Sequence, residues 1–147
     1  MRHHLSIREL SAAELNRILA LSEQPAPRAL QDKGVALYFE KPSARTRNSM
    51  EVAAAQLGGH PVYLQPSELG IGTRESVVDV TRTLACYHSI IAARVFDHSL
   101  LEQMAAVNAA QVLNMLSATD HPLQALADLL TIKRLLEIGR ASCRERV

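Results

Sequence analysis

The sequence has no tryptophan, and its 147 residues include only two phenylalanines and three tyrosines. A folded core must therefore be built from aliphatic side chains, which are plentiful because hydrophobic residues make up 48% of the chain. Charged residues make up 21%, and the formal net charge is only +1. This balance is typical of a globular domain and provides no basic field of the kind that nucleic-acid binding requires.

Long apolar runs and cysteines are also scarce. No run reaches the roughly 18 residues needed to span a bilayer, and residues 1–10 carry charge where a secretory signal would be apolar. We therefore expect a cytoplasmic protein without a membrane segment. The two cysteines, Cys86 and Cys143, are too few for a disulfide framework. We expect Cys86 to be a small buried residue.

The last ten residues, 138–147, read IGRASCRERV. A common sequencing adapter encodes this string when it is translated. We therefore interpret it as read-through rather than evolved protein and exclude it from fold reasoning. With Glu137 included, the tail covers residues 137–147, and residues 1–136 are expected to form one domain.

Strand-like and helix-like segments alternate along residues 1–136. The predicted strands are 35–39, 62–64, 89–95 and 111–113, and the predicted helices are 11–21, 43–57, 76–87, 100–107 and 122–136. This order predicts an α/β fold, namely a doubly wound, four-stranded parallel sheet with helices on both faces and right-handed crossovers. Ligands of such sheets bind beyond the carboxyl ends of the strands.

Residues 39–47, FEKPSARTR, carry the strongest local signal, because polar groups gather where the first strand passes into a helix. The first turn of a helix has free backbone N–H groups and a positive dipole end. With the hydroxyls of Ser43 and Thr46 and the guanidinium of Arg45, these groups can form a phosphate cradle. A capped helix start with solvated arginines would need no ligand. However, two arginines at a positive helix end oppose the dipole, which favours an anion partner.

Two further polar clusters follow later strands. Arg94 ends an apolar strand, while His121 and Gln124 open the last helix. Taken alone, each is an ordinary strand end or first helical turn, but their placement predicts that they converge with Arg45 on one rim. No pair of histidines has metal-ligand spacing, and there is neither a glycine-rich dinucleotide loop nor a P-loop, so we expect no metal and no cofactor. The histidines without such a setting are His60, His88 and His98.

Together these residues resemble the aspartate/ornithine carbamoyltransferase family. Its Ser-Thr-Arg-Thr-Arg signature appears as SARTR at 43–47, its arginine after the third strand as Arg94, and its His-Pro-x-Gln motif as HPLQ at 121–124. The three motifs in this order and spacing are highly specific, and the similarity covers nearly all of residues 2–136. The segments FEK at 39–41, LGGH at 57–60 and RES at 74–76 look more like the ornithine branch than the aspartate branch.

The resemblance implies the carbamoyl-phosphate-binding half of an ornithine carbamoyltransferase, which converts carbamoyl phosphate and L-ornithine into L-citrulline and phosphate. Arg94, His121 and Thr46 would be catalytic, because they would contact the carbonyl oxygen as it gains negative charge. No metal and no covalent intermediate would take part. The carbamoyl-phosphate-binding residues that the resemblance implies are Ser43, Ala44, Arg45, Thr46, Arg94, His121 and Gln124.

The sequence also departs from the family pattern. Ala44 stands where relatives usually have Thr, so one hydroxyl is lost while the backbone N–H remains. Gly70 lies in a loop from which relatives often extend a side chain to a neighbouring subunit. The amino-acid-binding domain is missing, so L-ornithine would bind through that missing domain and the chain alone is expected to be inactive. The resemblance implies a homotrimer for the full-length protein, and a structural role for Arg47 beside an acidic residue.

Three alternatives remain open at the level of sequence. The acceptor could be aspartate, putrescine or a modified ornithine, because the motifs that distinguish acceptors lie in the missing half. The chain could be a non-catalytic phosphate-binding module, which would bind carbamoyl phosphate no better than inorganic phosphate. Finally, residues 1–136 could fail to fold stably because the surface that faces the second domain is exposed.

Overall fold

Four parallel strands form the centre of the computed structural model, which describes residues 1–136. The tail predicted at 137–147 lies outside the described residues. The strands are β1 (Gly34–Phe39), β2 (His60–Leu64), β3 (His88–Arg94) and β4 (Gln111–Leu116). The helices are α1 (Ala12–Ser22), α2 (Ala44–Gln56), α3 (Pro66–Leu69), α4 (Val77–Ala85), α5 (His98–Val107) and α6 (Pro122–Leu136), preceded by a 3-10 turn at Ile7–Glu9.

The strand order in the sheet is β2-β1-β3-β4, and every neighbouring pair is parallel. The chain moves outward from β1 to β2 and then crosses back to build β3 and β4 on the other side. This arrangement confirms the predicted doubly wound α/β fold. Because the winding direction reverses between β1 and β3, a crevice opens beyond their carboxyl ends, where such sheets bind ligands.

Helices cover both faces of the sheet, as the alternation of side chains along a strand requires. From β1, Ala36 and Tyr38 pack into a layer that contains buried residues of α4 and α5. Val35, Leu37 and Phe39 pack into the opposite layer with residues of α2 and α6. Burial on both faces explains why β1 is a continuous apolar run rather than an alternating one.

The helix starts follow from capping side chains. Ser11 and Glu14 form the predicted capping box of α1, and Ser43 and Ser76 cap α2 and α4 through their side-chain oxygens. The 3-10 turn and α3 were not predicted. In residues 1–136, no helix combines the length and the apolar character needed to cross a membrane.

Two strands are longer than predicted by two residues or more. β2 begins at His60 rather than at residue 62, and Pro61 is tolerated because β2 is an edge strand that pairs only with β1. β4 continues to Leu116 rather than ending at residue 113. The extension includes Asn114, a polar residue that is completely buried.

The prediction that Cys86 is buried is wrong, because its side chain is exposed. Val80 and Leu84, four residues apart, turn the inner face of α4 toward the core. Cys86 follows Leu84 by two residues, so it points away from that face. Its thiol lies 3.4 Å from the carbonyl oxygen of Arg82, on the outer side of the helix end.

Candidate active site

A cleft with a volume of about 680 Å³ lies beyond the carboxyl ends of β1, β3 and β4. Its lining includes every predicted site residue except Ala44. The structure therefore brings the three polar clusters to one rim, although they are far apart in sequence. The predicted residues in the lining are Ser43, Arg45, Thr46, Arg94, His121 and Gln124.

The first turn of α2 forms one wall of the cleft. The side-chain oxygen of Ser43 accepts a hydrogen bond of 3.4 Å from the backbone N–H of Thr46 and donates one of 3.1 Å to the Thr46 hydroxyl. Other amides of this turn, including that of Ala44, have no acceptor within the helix, because an α-helix leaves its first N–H groups unpaired. The wall therefore combines hydroxyls, free amides and the positive end of the helix dipole.

The two arginines of this segment have different surroundings. Arg45 is exposed and lines the cleft. Arg47 instead donates from Nε to a carboxylate oxygen of Glu51 at 2.8 Å, and its guanidinium carbon lies 3.9 Å from the centre of the Tyr63 ring. Arg47 thus has the acidic partner expected from the sequence, and only Arg45 of the pair lines the cleft.

Arg94 connects the end of β3 to α2. Its Nη1 donates a hydrogen bond of 3.2 Å to the hydroxyl of Thr46. Its backbone carbonyl accepts one of 2.9 Å from the N–H of Glu40, just after β1. The Nε of Arg94 is buried and has no hydrogen-bond partner within residues 1–136. A buried N–H of this kind needs an acceptor, which a ligand in the cleft can supply.

His121 lies at the opposite wall, immediately before α6. Its Nδ1 is buried and also lacks a partner among the described residues. Burial and the nearby charge of Arg94 lower the pKa of His121 from its ordinary value of 6.5, with a smaller opposing effect of Asp128. The imidazole is therefore neutral at neutral pH, and one of its nitrogens can donate a hydrogen bond.

Gln124 lies on the first turn of α6, and its amide nitrogen donates to a carboxylate oxygen of Asp128 at 2.8 Å. That bond uses one of the two amide hydrogens, so the other hydrogen and the amide oxygen remain available.

Five lining residues were not predicted from the sequence. Ser49 and Met50 follow Arg45 and Thr46 by about one helical turn, so the spacing of a helix could have indicated them. The hydroxyl of Ser49 donates to the carbonyl of Thr46 at 3.1 Å. The others are Leu116, Leu123 and Ala127.

The lining suggests a specific kind of ligand. It contains two guanidiniums, hydroxyls, a neutral imidazole and a carboxamide, and no carboxylate or thiol. Within residues 1–136 there is no group of three or more side chains that could hold a metal ion. His60, His88 and His98 do not line the cleft. The arrangement suits an anion that also carries a polar group able to accept a hydrogen bond from Arg94 or His121.

Comparison with known protein families gives a match over most of the chain. Residues 2–134 match the model described as aspartate/ornithine carbamoyltransferase, carbamoyl-P binding domain. Among curated proteins, an ornithine carbamoyltransferase of Hyperthermus butylicus is 48% identical over 140 residues, which are 89% of this chain and 45% of that protein. One of Pyrobaculum islandicum is 46% identical over 141 residues, which are 90% of this chain and 46% of that protein. The chain thus spans about half the length of the curated relatives it matches.

Solved structures give the same result. An ornithine carbamoyltransferase of Thermus thermophilus superposes with a TM-score of 0.84 at 46% identity, over 90% of this chain and 48% of that chain. An ornithine carbamoyltransferase from Campylobacter jejuni superposes with a TM-score of 0.87 at 35% identity, over 95% of this chain and 47% of that chain. An N-acetyl-L-ornithine transcarbamylase complexed with carbamyl phosphate and N-succinyl-L-norvaline superposes with a TM-score of 0.81 at 32% identity. The match covers 93% of this chain and 49% of that chain.

Proposed function

Because the chain belongs to the aspartate/ornithine carbamoyltransferase family and matches its carbamoyl-phosphate-binding domain, we propose that its cleft binds carbamoyl phosphate for transfer to L-ornithine. The products would be L-citrulline and phosphate. The observation that carries this proposal is the pair of buried, unpartnered nitrogens, Nε of Arg94 and Nδ1 of His121, in residues that line one cleft with the first turn of α2.

The phosphate would lie on the first turn of α2. The hydroxyls of Ser43 and Thr46, the amide of Ala44 and the guanidinium of Arg45 would hold it. Each charge-assisted hydrogen bond to a phosphate oxygen contributes about 1.5–3 kcal/mol. The outward ion pair of Arg47 with Glu51 supports assigning this role to Arg45 alone of the two arginines.

The carbamoyl group would lie between Arg94 and His121. As the amine attacks, the carbonyl oxygen gains negative charge, and donors already aimed at that oxygen lower the barrier. Arg94 and Thr46, joined by a hydrogen bond of 3.2 Å, and the neutral imidazole of His121 would be these donors. Gln124 would hold the carbamoyl NH₂. The nitrogen–carbon bond forms, the carbon–oxygen bond to phosphate breaks, and phosphate leaves with the electron pair and takes up the proton that the amine loses.

The rest of the proposal concerns the whole protein. L-Ornithine would bind through a second domain, because the matched relatives are about twice as long as this chain. In domain terms, residues 1–136 would be the carbamoyl-phosphate-binding domain and residues 137–147 the adapter-derived tail. The whole protein would be a cytoplasmic homotrimer that acts in arginine biosynthesis.

A second candidate acceptor is a modified ornithine. The structural likeness to N-acetyl-L-ornithine transcarbamylase, with TM-scores of 0.81 to 0.84, is nearly as good as that to ornithine carbamoyltransferases. The two enzymes therefore share the fold of this half, and the fold alone does not distinguish their acceptors. The relatives that share 46–48% identity with this chain are ornithine carbamoyltransferases, which favours L-ornithine.

Calorimetric titration of carbamoyl phosphate into the wild type, Arg45→Ala and Arg47→Ala tests the proposal. Arg45→Ala should weaken binding by more than tenfold, because it loses a charged hydrogen bond worth on the order of 2–3 kcal/mol. Arg47→Ala is the matched control, since it removes an arginine of the same helix that points elsewhere, and it should change affinity by less than about threefold.

The titration also distinguishes the proposed function from the alternative that the chain is a non-catalytic phosphate-binding module. A phosphate-binding module would bind inorganic phosphate as tightly as carbamoyl phosphate, whereas the proposal requires a preference for carbamoyl phosphate. If Arg45→Ala and Arg47→Ala lose the same carbamoyl phosphate affinity, with both proteins folded, then Arg45 has no special role in holding the phosphate and the proposed cradle is wrong.

A further inference from the structure

The Nδ1 of His121 has no hydrogen-bond partner within residues 1–136, so that atom does not anchor the ring. The position of the ring therefore depends on the chain on either side, namely α6 after it and the turn Ser117 to Asp120 before it. The contacts that hold this turn in place therefore also determine where the imidazole of His121 can contact a ligand.

The turn is closed by its first and last residues. The N–H of Ser117 donates to the carbonyl of Asp120 at 3.0 Å, and the N–H of Asp120 donates back to the Ser117 hydroxyl at 3.3 Å. The N–H of Ala118 is bonded to the carbonyl of Phe96 at 3.1 Å. These bonds close the turn and attach it to the segment that follows β3.

Asn114 lies beneath the turn and is completely buried. Its Nδ2 lies 2.8 Å from the carbonyl oxygen of Leu5, 3.2 Å from the hydroxyl of Ser117 and 3.2 Å from the carbonyl oxygen of Asp120. Carbonyl oxygens can only accept, so the two of them fix which side of the amide is NH₂. The amide therefore acts as a donor to the turn and to the N-terminal segment at the same time.

The N-terminal segment is itself attached to the sheet. The N–H of His4 donates to the carbonyl of Val112, and the N–H of Asn114 donates to the carbonyl of His4, each at 2.9 Å. The hydroxyl of Ser6 donates to a carboxylate oxygen of Asp120 at 2.8 Å. Asn114 thus joins β4, the N-terminal segment and the turn.

The burial of Asn114 is unfavourable on its own. Its Oδ1 is buried and has no partner within the described residues, and an unsatisfied buried acceptor destabilises a fold. An apolar side chain of similar size would avoid that penalty in the middle of β4. What the asparagine adds is the set of bonds from its NH₂ group to Ser117 and Asp120.

We propose that Asn114 is a positioning residue for the carbamoyl-phosphate site: together with Ser117 it holds the turn that places His121 against the carbamoyl group. The inference rests on the proposed function and adds to it a residue outside the cleft lining. Asn114 does not touch the ligand. Its substitution should therefore affect recognition of the carbamoyl group and spare the phosphate cradle on α2.

The test compares affinities for freshly prepared carbamoyl phosphate and for inorganic phosphate in Asn114→Asp, Ser117→Ala and His121→Ala. Asn114→Asp keeps the shape but places acceptors against the carbonyls of Leu5 and Asp120. Each variant should reduce the preference for carbamoyl phosphate over phosphate by about fivefold or more. Inorganic phosphate affinity should stay within about twofold of the wild type. The imidazole signals of His121 in NMR spectra should move in Asn114→Asp and Ser117→Ala.

Thr81→Val is the matched control for a buried donor lost elsewhere. Thr81 is completely buried in α4, on the face of the sheet away from α2 and α6, and its hydroxyl donates to the carbonyl of Val77 at 2.7 Å. Thr81→Val should leave the preference for carbamoyl phosphate over inorganic phosphate unchanged. If it lowers the preference as much as Asn114→Asp does, general destabilisation explains the effect and the inference is wrong.

The remaining outcomes are also distinct. Loss of preference in His121→Ala, together with retention in folded Asn114→Asp and Ser117→Ala, would overturn the inference while leaving the proposed function intact. A wild type without any preference would contradict the proposed function and the inference with it. If Asn114→Asp does not fold, Ser117→Ala decides the question, because it removes only the Ser117 hydroxyl, which bonds Asn114 and Asp120 and also lies 2.7 Å from Nδ1 of His98.

Discussion

The guanidinium of Arg94 donates from Nη1 to the hydroxyl of Thr46 at 3.2 Å, although 48 residues separate the two in sequence. The bond joins the end of β3 to the first turn of α2 across the crevice of the doubly wound sheet. Thr46 is in turn hydrogen-bonded to the capping hydroxyl of Ser43 at 3.1 Å. The proposed phosphate cradle and the proposed carbonyl donor are therefore parts of one connected network.

Arg94→Lys should show that the geometry of this network matters as well as its charge. Lysine keeps the positive charge but lacks the planar guanidinium that can bond Thr46 and a ligand together. We expect carbamoyl phosphate affinity to fall about tenfold, as for loss of one charge-assisted hydrogen bond. Arg82→Lys, on the exposed side of α4, is the control and should bind as the wild type does. Equal affinities of folded Arg94→Lys and wild type would contradict the role of Arg94.

The pKa of His121 offers a test that needs no ligand. Burial and, to a smaller extent, the charge of Arg94 hold this pKa below 6.5. Since the unfolded chain then binds a proton more readily than the folded one, His121 contributes stability that is present above about pH 6.5 and is lost as pH falls through its folded pKa. Arg94→Met should raise the pKa of His121 partway toward its ordinary value in an NMR titration.

The control for that titration is Arg134→Met, which removes a distant arginine of α6 that is paired with Glu23. It should leave the pKa of His121 where it is in the wild type. A pKa of His121 that is unchanged in Arg94→Met would mean that the two side chains do not share one site.

Ala44→Thr should strengthen binding at the phosphate cradle. Ala44 is exposed at the first position of α2, so a larger side chain meets no packed neighbour there. Threonine adds a hydroxyl that can donate to a phosphate oxygen, and we expect a gain of about threefold to tenfold in carbamoyl phosphate affinity. Ala44→Val has nearly the same shape without the hydroxyl and should show no gain. A similar gain in both variants would trace the effect to shape rather than to hydrogen bonding.

The purified chain by itself should form no citrulline from carbamoyl phosphate and L-ornithine. A transferase accelerates its reaction largely by holding two reactants in one orientation, and the described residues supply a cleft for one of them. The measurement is a colorimetric citrulline assay against a control without protein. Citrulline above that control would show that residues 1–147 also bind the acceptor.

Much of the fold could be predicted because local signals agreed with it. The capping box of Ser11 and Glu14, the apolar run of β1 and the proline at the start of α6 each set a boundary that the structure reproduces to within about one residue. The convergence of Arg45, Arg94 and His121 followed from the rule that parallel strands bring their carboxyl ends to one edge.

The errors arose where distant contacts decide the outcome. Asn114 interrupts the apolar pattern of β4, and only its bonds to Leu5 and Asp120, far along the chain or around a turn, allow it to be buried. Pro61 discourages a strand prediction unless the strand is known to lie at the sheet edge. The exposure of Cys86 depends on which face of α4 meets the core, a fact set by tertiary packing.

The most direct test of the central claim is NMR mapping of carbamoyl phosphate binding to the wild-type chain. The account predicts that backbone signals of residues 43–46 and side-chain signals of Arg94 and His121 shift together with one dissociation constant. Signals of Thr81 in the opposite layer should stay unchanged. Shifts that spare Arg94 and His121, or no saturable shifts at millimolar ligand, would contradict a carbamoyl-phosphate site at this rim.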